Sequence, residues 1–401
     1  MIMRKLINEL KKLELLDIKS ALMLLVTALP ALILKMRKKN IWLIAERVTG
    51  AEDNGWIFYQ WMRKNHPERN VYFILLKGIP KFDENDDHMI GWATFRHYMY
   101  YQASRVHIKA TFVPPRPTQR VCSYYESYIK KNIIRIYLRH GISVSGIEQH
   151  RYEVQKVRMF VCGAKPEYDY IRQSAGYPEG YVQYTGLARY DDLLEKQSDG
   201  KFILVIPTWR RYIVDLEGTA AQNNKNFLES SYYQHFNSLL SNKEFIDYLE
   251  SIGHKMKFCI HAEFRRFLHL FKDIDPRVEI VKGGTSIHEL LMSTSLLITD
   301  YSSVFFDVAY MNKPMVYYHF DYKEFRTRHL SEGYFIFERD GMGPVVHTEE
   351  DLIDKVKAYY DGKRFVNNEF YLQRCSKFFP THDNHNCERI YNGIREIEEN
   401  E

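Results

Sequence analysis

Apolar runs four to six residues long recur along this chain, and most are followed by an amphipathic stretch and then another apolar run. IWLIAE from Ile41 leads through the loop Asp53-Asn54-Gly55 to helix-patterned residues around Trp56 to Lys64. Pro67 and a second apolar run, Val71 to Leu76, come next. Strand, loop, helix and strand in that order predict a βαβ unit, which belongs in a parallel sheet. Val106 to Ala110, Ile133 to Leu138 and Met159 to Cys162 continue the cycle. The polar stretch Glu195 to Lys201 reads as a linker. A second cycle starts at Phe202 with FILVIP and continues through KMKFCIH, VEIV, SLLIT and MVYYHF, with helical runs between. The pattern predicts two α/β halves facing across a cleft, with ligands beyond the carboxyl ends of the strands.

One apolar run breaks this rhythm. Ala21 to Leu34 is apolar except for Thr27 and Pro30, and is fenced by Lys19 and Lys35. At about 1.5 Å per residue it spans roughly 21 Å, short of a hydrocarbon core of ~30 Å. Lys35, Arg37, Lys38 and Lys39 follow at once with no small-residue cleavage site, which argues against a cleaved leader. Leu6, Leu10, Leu13 and Ile18 recur at near-helical spacing upstream. Segment 1–39 therefore reads as an in-plane amphipathic anchor. A helix packed on the domain's own surface is the alternative, and the two are compatible.

Charge sharpens that reading. The net charge is +5, yet Met1 to Asn40 alone holds nine Lys or Arg against three Asp or Glu. The remaining body is close to neutral, which argues against a general nucleic-acid binder. A basic end points instead to an anionic membrane leaflet. The length of 401 residues favours two domains. Five scattered cysteines without a C-x-x-C pair fit a reducing compartment with neither a disulfide frame nor a zinc ribbon. His382, His385 and Cys387 look superficially metal-like, but no second ligand pair accompanies them and no metal is expected.

The candidate chemistry lies just after the strands. Leu296 to Thr299 is followed by Asp300-Tyr301-Ser302-Ser303 and a helix from about Val304 to Met311. Small hydroxyls and free N–H groups at a helix start suit a phosphate, although plain capping accounts for the same residues. His261 ends the strand Lys257 to Ile260, where an imidazole can hydrogen-bond a phosphate oxygen; a purely structural histidine is the plainer reading. His140 and Gly141 follow Ile133 to Leu138, the first a candidate base and the second permitting close approach to the backbone. Pro207-Thr208-Trp209-Arg210 closes the strand Phe202 to Ile206, offering a guanidinium for bidentate phosphate contact.

With these motifs in place, the chain resembles the CDP-glycerol glycerophosphotransferase family: teichoic-acid primases, polymerases and their capsule-synthesis relatives. The resemblance runs from about Ile41 to Arg389 and is most specific at LITDYSSVFFDVAYMNKPMVYY (Leu297 to Tyr318) and GYFIFERDGMGPVV (Gly333 to Val346). AEDNG at Ala51, HG at His140, TGLARYD at Thr185 and PTWR at Pro207 also match. The chain departs from the family pattern at Ile142 and Ser286, where Thr and Asp are usual, and at Ala188 and Ala262, where Pro is usual.

The resemblance implies a GT-B fold, two Rossmann-like domains behind the amphipathic segment. The boundaries expected are 1–39, an acceptor-side domain 40–196, a CDP-donor-binding domain 197–380, and a terminal helix 381–401. It implies a reaction without metal or cofactor, in which an acceptor hydroxyl attacks the β-phosphorus of CDP-glycerol or CDP-ribitol and CMP leaves. His140 and His261 are the implied essential histidines, the first expected as general base and the second as a support for the pyrophosphate. Thr208, Arg210, Asp300, Ser302 and Ser303 are expected on the donor, and Asp53, Asn54 and Gly141 on the acceptor side. The implied partners are a CDP-polyol, a lipid-linked or polysaccharide acceptor, and the cytoplasmic face of a bacterial membrane, held peripherally; self-association is left open. A GT-B glycosyltransferase using a nucleotide-sugar and a catalytically idle scaffold are the competing readings.

Overall fold

The computed structural model describes residues 14–198, 200–363 and 368–401. Seven strands make the first sheet: β1 (Trp42–Ala45), β2 (Val71–Leu75), β3 (Met89–Gly91), β4 (Val106–Lys109), β5 (Ile134–Tyr137), β6 (Met159–Cys162) and β7 (Val182–Tyr184). Six make the second: β8 (Phe202–Ile206), β9 (Lys255–Phe258), β10 (Glu279–Ile280), β11 (Leu296–Thr299), β12 (Met315–Tyr318) and β13 (Val345–Val346). The orders are β3-β2-β1-β4-β5-β6-β7 and β10-β9-β8-β11-β12-β13, and every pairing is parallel. A parallel sheet is covered on both faces, which is why WLIA and FILVI are unbroken apolar runs with every residue buried. The short strands β3, β7 and β13 were not anticipated; at two or three residues they carry no periodicity of their own.

In each sheet the order reverses beside the first strand, between β1 and β4 and between β8 and β11. That reversal opens a crevice at the carboxyl ends of the strands, and the two crevices face one another. Helix α1 (Leu15–Arg37) precedes β1, and α2 (Asn54–Asn65) follows it. Helices α3 (Phe95–Ala103) and α4 (Arg120–Tyr128) flank β4, α5 (Arg189–Lys196) closes the first half, and α6 (Phe305–Tyr310) follows β11. The terminal helix α7 (Asn386–Asn400) is not a separate unit but returns to the first sheet. There Glu398 Oε1 accepts from Trp42 Nε1 at 3.1 Å, and Arg69 Nη1 reaches Glu398 Oε2 at 3.1 Å. Ile390, Ile394 and Ile397 of α7 are buried in a core that both halves share.

Helix α1 is longer than the 14-residue apolar run implied. It has 23 residues, about 34 Å, and is long and apolar enough to cross a membrane. Unlike a normal surface helix it turns apolar residues to both sides, with Leu24 and Ala31 packed on the first domain. Asp17, Ser20 and Thr27 face the protein: Asp17 pairs with Arg120 at 2.8 Å, Ser20 bonds Thr118 at 2.7 Å, and Thr27 bonds Gln102 at 2.6 Å. Leu16, Leu22, Leu25, Leu29, Leu32 and Met36 face outward, each more than half exposed. The helix thus packs on its own domain, as one reading expected, while its apolar side stays uncovered. Leu6, Leu10 and Leu13 lie outside the described residues.

Candidate active site

In the first crevice, the turns after β1 and β5 are locked together by buried polar groups. Glu46, the residue after β1, accepts from the backbone N–H groups of Glu52 and Asp53 at 3.1 and 3.0 Å and of Trp56 at 3.0 Å. Those bonds fix the loop that delivers Asp53 and start α2. Burial, with Asp53 beside it, pushes the Glu46 carboxyl up to about 7. Asn54 is the first residue of α2; its amide donates to the Arg139 carbonyl at 2.9 Å and accepts from Arg189 N at 3.0 Å. It clamps loops and is itself buried, so it does not reach into the cleft.

Arg139 adopts φ +72°, the left-handed conformation that turns the chain sharply before His140. Its buried guanidinium bonds the Gly141 carbonyl at 2.8 Å and Ser143 Oγ at 2.7 Å and pairs with Glu167 at 3.2 Å. The turn places His140 with Nδ1 against Asp53 Oδ2. An ionised carboxylate only accepts, so Nδ1 carries the proton and Nε2 is left with its lone pair. The His140 side chain is 60% exposed, so that lone pair is open to the cleft.

Asp53 is supported in turn. Arg189 Nη1 donates to its Oδ1 at 2.8 Å, while Arg189 Nε and Nη2 form a fork on Asp307 at 2.9 and 2.8 Å. Burial alone would raise the Asp53 carboxyl, but His140 and Arg189 hold it down at about 2. Burial opposes the charge on Arg189, and Asp307 and Asp53 overcome it, raising its pKa. Asp307 sits on α6 of the second half, so this chain of charges crosses from one domain to the other. Ser303 lies at the crossing: a Cβ placed on Gly141 would come within 3.3 Å of its Oγ. Neither Ser302 nor Ser303 has a side-chain hydrogen bond to the described residues, which leaves both hydroxyls free. Helix α6 has only six residues, so hydroxyls and turn amides, rather than a long helix dipole, are what this turn offers.

The second crevice differs from expectation at Arg210. That side chain is fully buried, forked on Asp321 at 2.6 and 3.0 Å and paired with Asp300 at 2.9 Å. It is ringed by Tyr301, Phe325 and Tyr232. No face is left for a phosphate; Arg210 braces the turns after β8 and β11 from beneath. Asp300 is likewise buried and accepts from Thr208 N at 2.8 Å and Tyr301 N at 2.5 Å. Burial pushes its carboxyl up against the pull of Arg210. Thr208 is half-buried above this brace.

His261 is exposed at the end of β9 and stacks on Trp209, with centroids 6.0 Å apart. Glu263 N donates to His261 Nδ1 at 3.2 Å, so the proton of the neutral ring resides on Nε2. Partial burial lowers its pKa, and Arg265 and Arg47 add to that effect. Arg47 follows β1, so His261 faces the first domain across the cleft. The two histidines therefore present opposite tautomers: a lone pair on Nε2 of His140 and an N–H on Nε2 of His261.

The family model for CDP-Glycerol:Poly(glycerophosphate) glycerophosphotransferase matches residues 27–396. The chain belongs to this family. Among curated proteins, the minor teichoic acid biosynthesis protein GgaB of Bacillus subtilis is 28% identical over 90% of this chain and 40% of its own length. The teichoic acid poly(glycerol phosphate) polymerase of the same organism is 26% identical over 75% of this chain and 41% of its own length. The chain thus spans about two fifths of either relative. A solved structure of the wall teichoic acid polymerase TagF superposes with a TM-score of 0.67 at 14% identity, covering 97% of this chain and 99% of that one. A UDP-N-acetylglucosamine 2-epimerase from Listeria monocytogenes, described as putative, gives 0.57 at 13%, over 90% and 98%. At such identities these two structures establish the two-domain fold alone.

The departures from the family pattern are structurally mild. Ile142 is buried in the core. Ser286 accepts from Glu289 N at 3.3 Å and so caps its helix, as the usual Asp would. His382 bonds the Tyr310 carbonyl, His385 pairs with Glu388, and Cys387 donates to the Ala188 carbonyl at 3.5 Å. Their place is in the packing of α7. Glu46, Arg189 and Asp307 were not singled out from sequence. Arg189 and Asp307 lie within quoted motifs, and the available signal was a single charge amid apolar neighbours, as in FFDVAY.

Proposed function

We propose that the chain transfers glycerol phosphate or ribitol phosphate from a CDP-linked donor to a hydroxyl of a teichoic-acid or capsular acceptor. The observation that carries this reading is the complementary pair of tautomers across the cleft. His140 Nε2 takes the proton as the acceptor oxygen bonds to the β-phosphorus. The bridging P–O bond to the α-phosphate breaks, and CMP leaves with the electron pair. His261 donates its Nε2–H to the phosphate oxygens as their charge shifts toward CMP, and the free hydroxyls of Ser302 and Ser303 hold the same group. The reaction asks mainly for positioning and charge stabilisation, which the Asp53–Arg189–Asp307 brace supports. No step calls on a metal or cofactor.

The same reading places the enzyme on a membrane. Helix α1 has its polar side bonded to α3, α4 and the loop before α4 along much of its length, so it lies along the domain rather than leaving it. Its uncovered apolar side fits the boundary between headgroups and acyl chains. The catalytic reading is tested by incubating the protein with CDP-glycerol, CDP-ribitol and several UDP-sugars, each with a membrane-lipid extract, and following nucleotides by phosphorus NMR. CMP is expected from a CDP-polyol and absent in His140→Ala and His261→Ala. UDP released from a UDP-sugar would move the enzyme to the glycosyltransferases.

A further inference from the structure

At the opposite end of the first sheet from His140, a cavity of about 850 Å³ opens where α1 ends and where β4 and β5 begin. Its cationic lining is Lys35, Lys39, Arg105, Lys130 and Lys131, and its one acid is Glu401. The Glu401 carboxylate is already paired with Arg158 at 2.5 Å. Lys35, Lys39 and Lys131 are exposed and form no ion pair among the described residues. Lys130 is turned inward and donates to the Gln102 carbonyl at 3.0 Å and Ser104 Oγ at 3.2 Å. Burial, reinforced by Lys35 and Arg135, lowers its ammonium to about 7 despite Glu126 nearby. Lys35, Lys39, Lys131 and Arg105 around one cavity, whose one acidic side chain is already committed, repel one another unless an anion enters. The rim is apolar: Tyr128 and Ile129 are each 72% exposed and Met36 66%. This rim continues the uncovered side of α1.

We propose that this cavity is a binding site for the phosphate headgroup of an anionic lipid, with the acyl chains lying along Met36, Ile129 and α1. The proposal rests on the membrane reading of α1 and adds to it a defined headgroup contact. A soluble phosphate ester would share the charge chemistry but has no use for the apolar rim. Bound there, a lipid fixes the rotation of the domain about the α1 axis. The cleft, at the other end of that helix, then keeps a constant height above the bilayer.

The test is vesicle flotation of the full chain. Vesicles of phosphatidylcholine alone are compared with vesicles containing an equal amount of phosphatidylglycerol. The wild type is expected to bind both and to prefer the anionic ones. Lys35→Gln/Lys39→Gln/Lys131→Gln is expected to lose at least about tenfold in affinity for anionic vesicles, with neutral vesicles unaffected. Lys19→Gln/Arg37→Gln removes charge from the same helix outside the cavity and is expected to lose far less per charge. Equal losses per charge would mean diffuse attraction and would overturn the site while leaving the membrane reading intact. Leu25→Asp/Leu29→Asp is expected to abolish binding to both vesicle types. A wild type that binds neither would remove the membrane reading and the site together. Glycerol 3-phosphate, at ionic strength matched with chloride, is expected not to release the protein. Release at low millimolar concentrations would assign the cavity to a soluble phosphate ester instead.

Discussion

Asp53 carries two duties that pull its chemistry in one direction. It orients His140 by accepting from Nδ1, and it anchors Arg189; both tasks require the ionised form. In the folded chain its carboxyl sits at about 2 against an ordinary 3.8. A depressed carboxyl stabilises the fold fully above the unfolded value, and the contribution is lost as pH falls through the folded one. The wild type is therefore expected to shed on the order of 2 kcal/mol between pH 4 and pH 2 from this group alone. Asp53→Asn should flatten that part of the stability curve, read by urea denaturation across the interval. The same variant presents His140 with an amide that no longer dictates the tautomer, and CMP release is expected to fall about 100-fold or more at neutral pH. A variant as acid-labile as wild type would show that Asp53 is not the group titrating. At this scale the sequence singled out Asp53 and His140, which the structure brings into contact, and expected Arg210 on the donor, where the structure buries it. A guanidinium after a strand looks the same on paper whether it faces a ligand or, as here, two buried carboxylates far along the chain, Asp300 and Asp321.

Elements were legible wherever an apolar run was long enough to have a period. The strands β1, β2, β8, β11 and β12 coincide with runs of four to six mostly apolar residues, β4 and β9 with alternating ones (VHIK and KMKF), and the turns bearing candidate residues follow them. Strands β3 and β13 are set by pairing with a neighbour already in place, so their two or three residues carry little local signal. Helix α7 shows a different limit. Its pattern announces an amphipathic helix, but nothing in it says which domain receives the apolar side. The structure answers with Ile394, fully buried, and with Gly393 next to it, which lies against Met159 and Gln183 of the first sheet. Ile394→Ala is expected to cost about 2–5 kcal/mol. The loss should fall on the first domain: amides of β6 should exchange faster with solvent while those of β8 and β11 keep their protection. Equal acceleration in both sheets would mean that α7 supports the two domains as one unit.

Across the whole molecule, the contacts that hold the halves face to face include two of different kinds. Tyr190 of α5 stacks on Tyr310 of α6 with ring centroids 4.1 Å apart, a broad apolar contact within the shared core. Beside it, the Arg189 fork on Asp307 is directional and extends straight to Asp53 and His140. The stacking contributes cohesion, and the fork accounts for the position of His140 relative to Ser303. Asp307→Ala separates the two roles, because Arg189 is the hydrogen-bonding partner of that carboxylate and the rings are untouched. Leaving a buried guanidinium short of one carboxylate is expected to cost about 3–5 kcal/mol, with the two halves still unfolding together. Displacement of His140 by a fraction of its hydrogen-bond length should lower kcat for CMP release by about 10- to 100-fold. The KM for the CDP-polyol should change little, since the turns after β8 and β11, proposed to hold the donor, keep their Arg210 brace. Calorimetry and steady-state kinetics on the same preparation decide the matter. A loss of stability with kcat preserved would reduce the fork to one fastening among several, and the shared apolar core around the tyrosine pair would then set the geometry of the cleft.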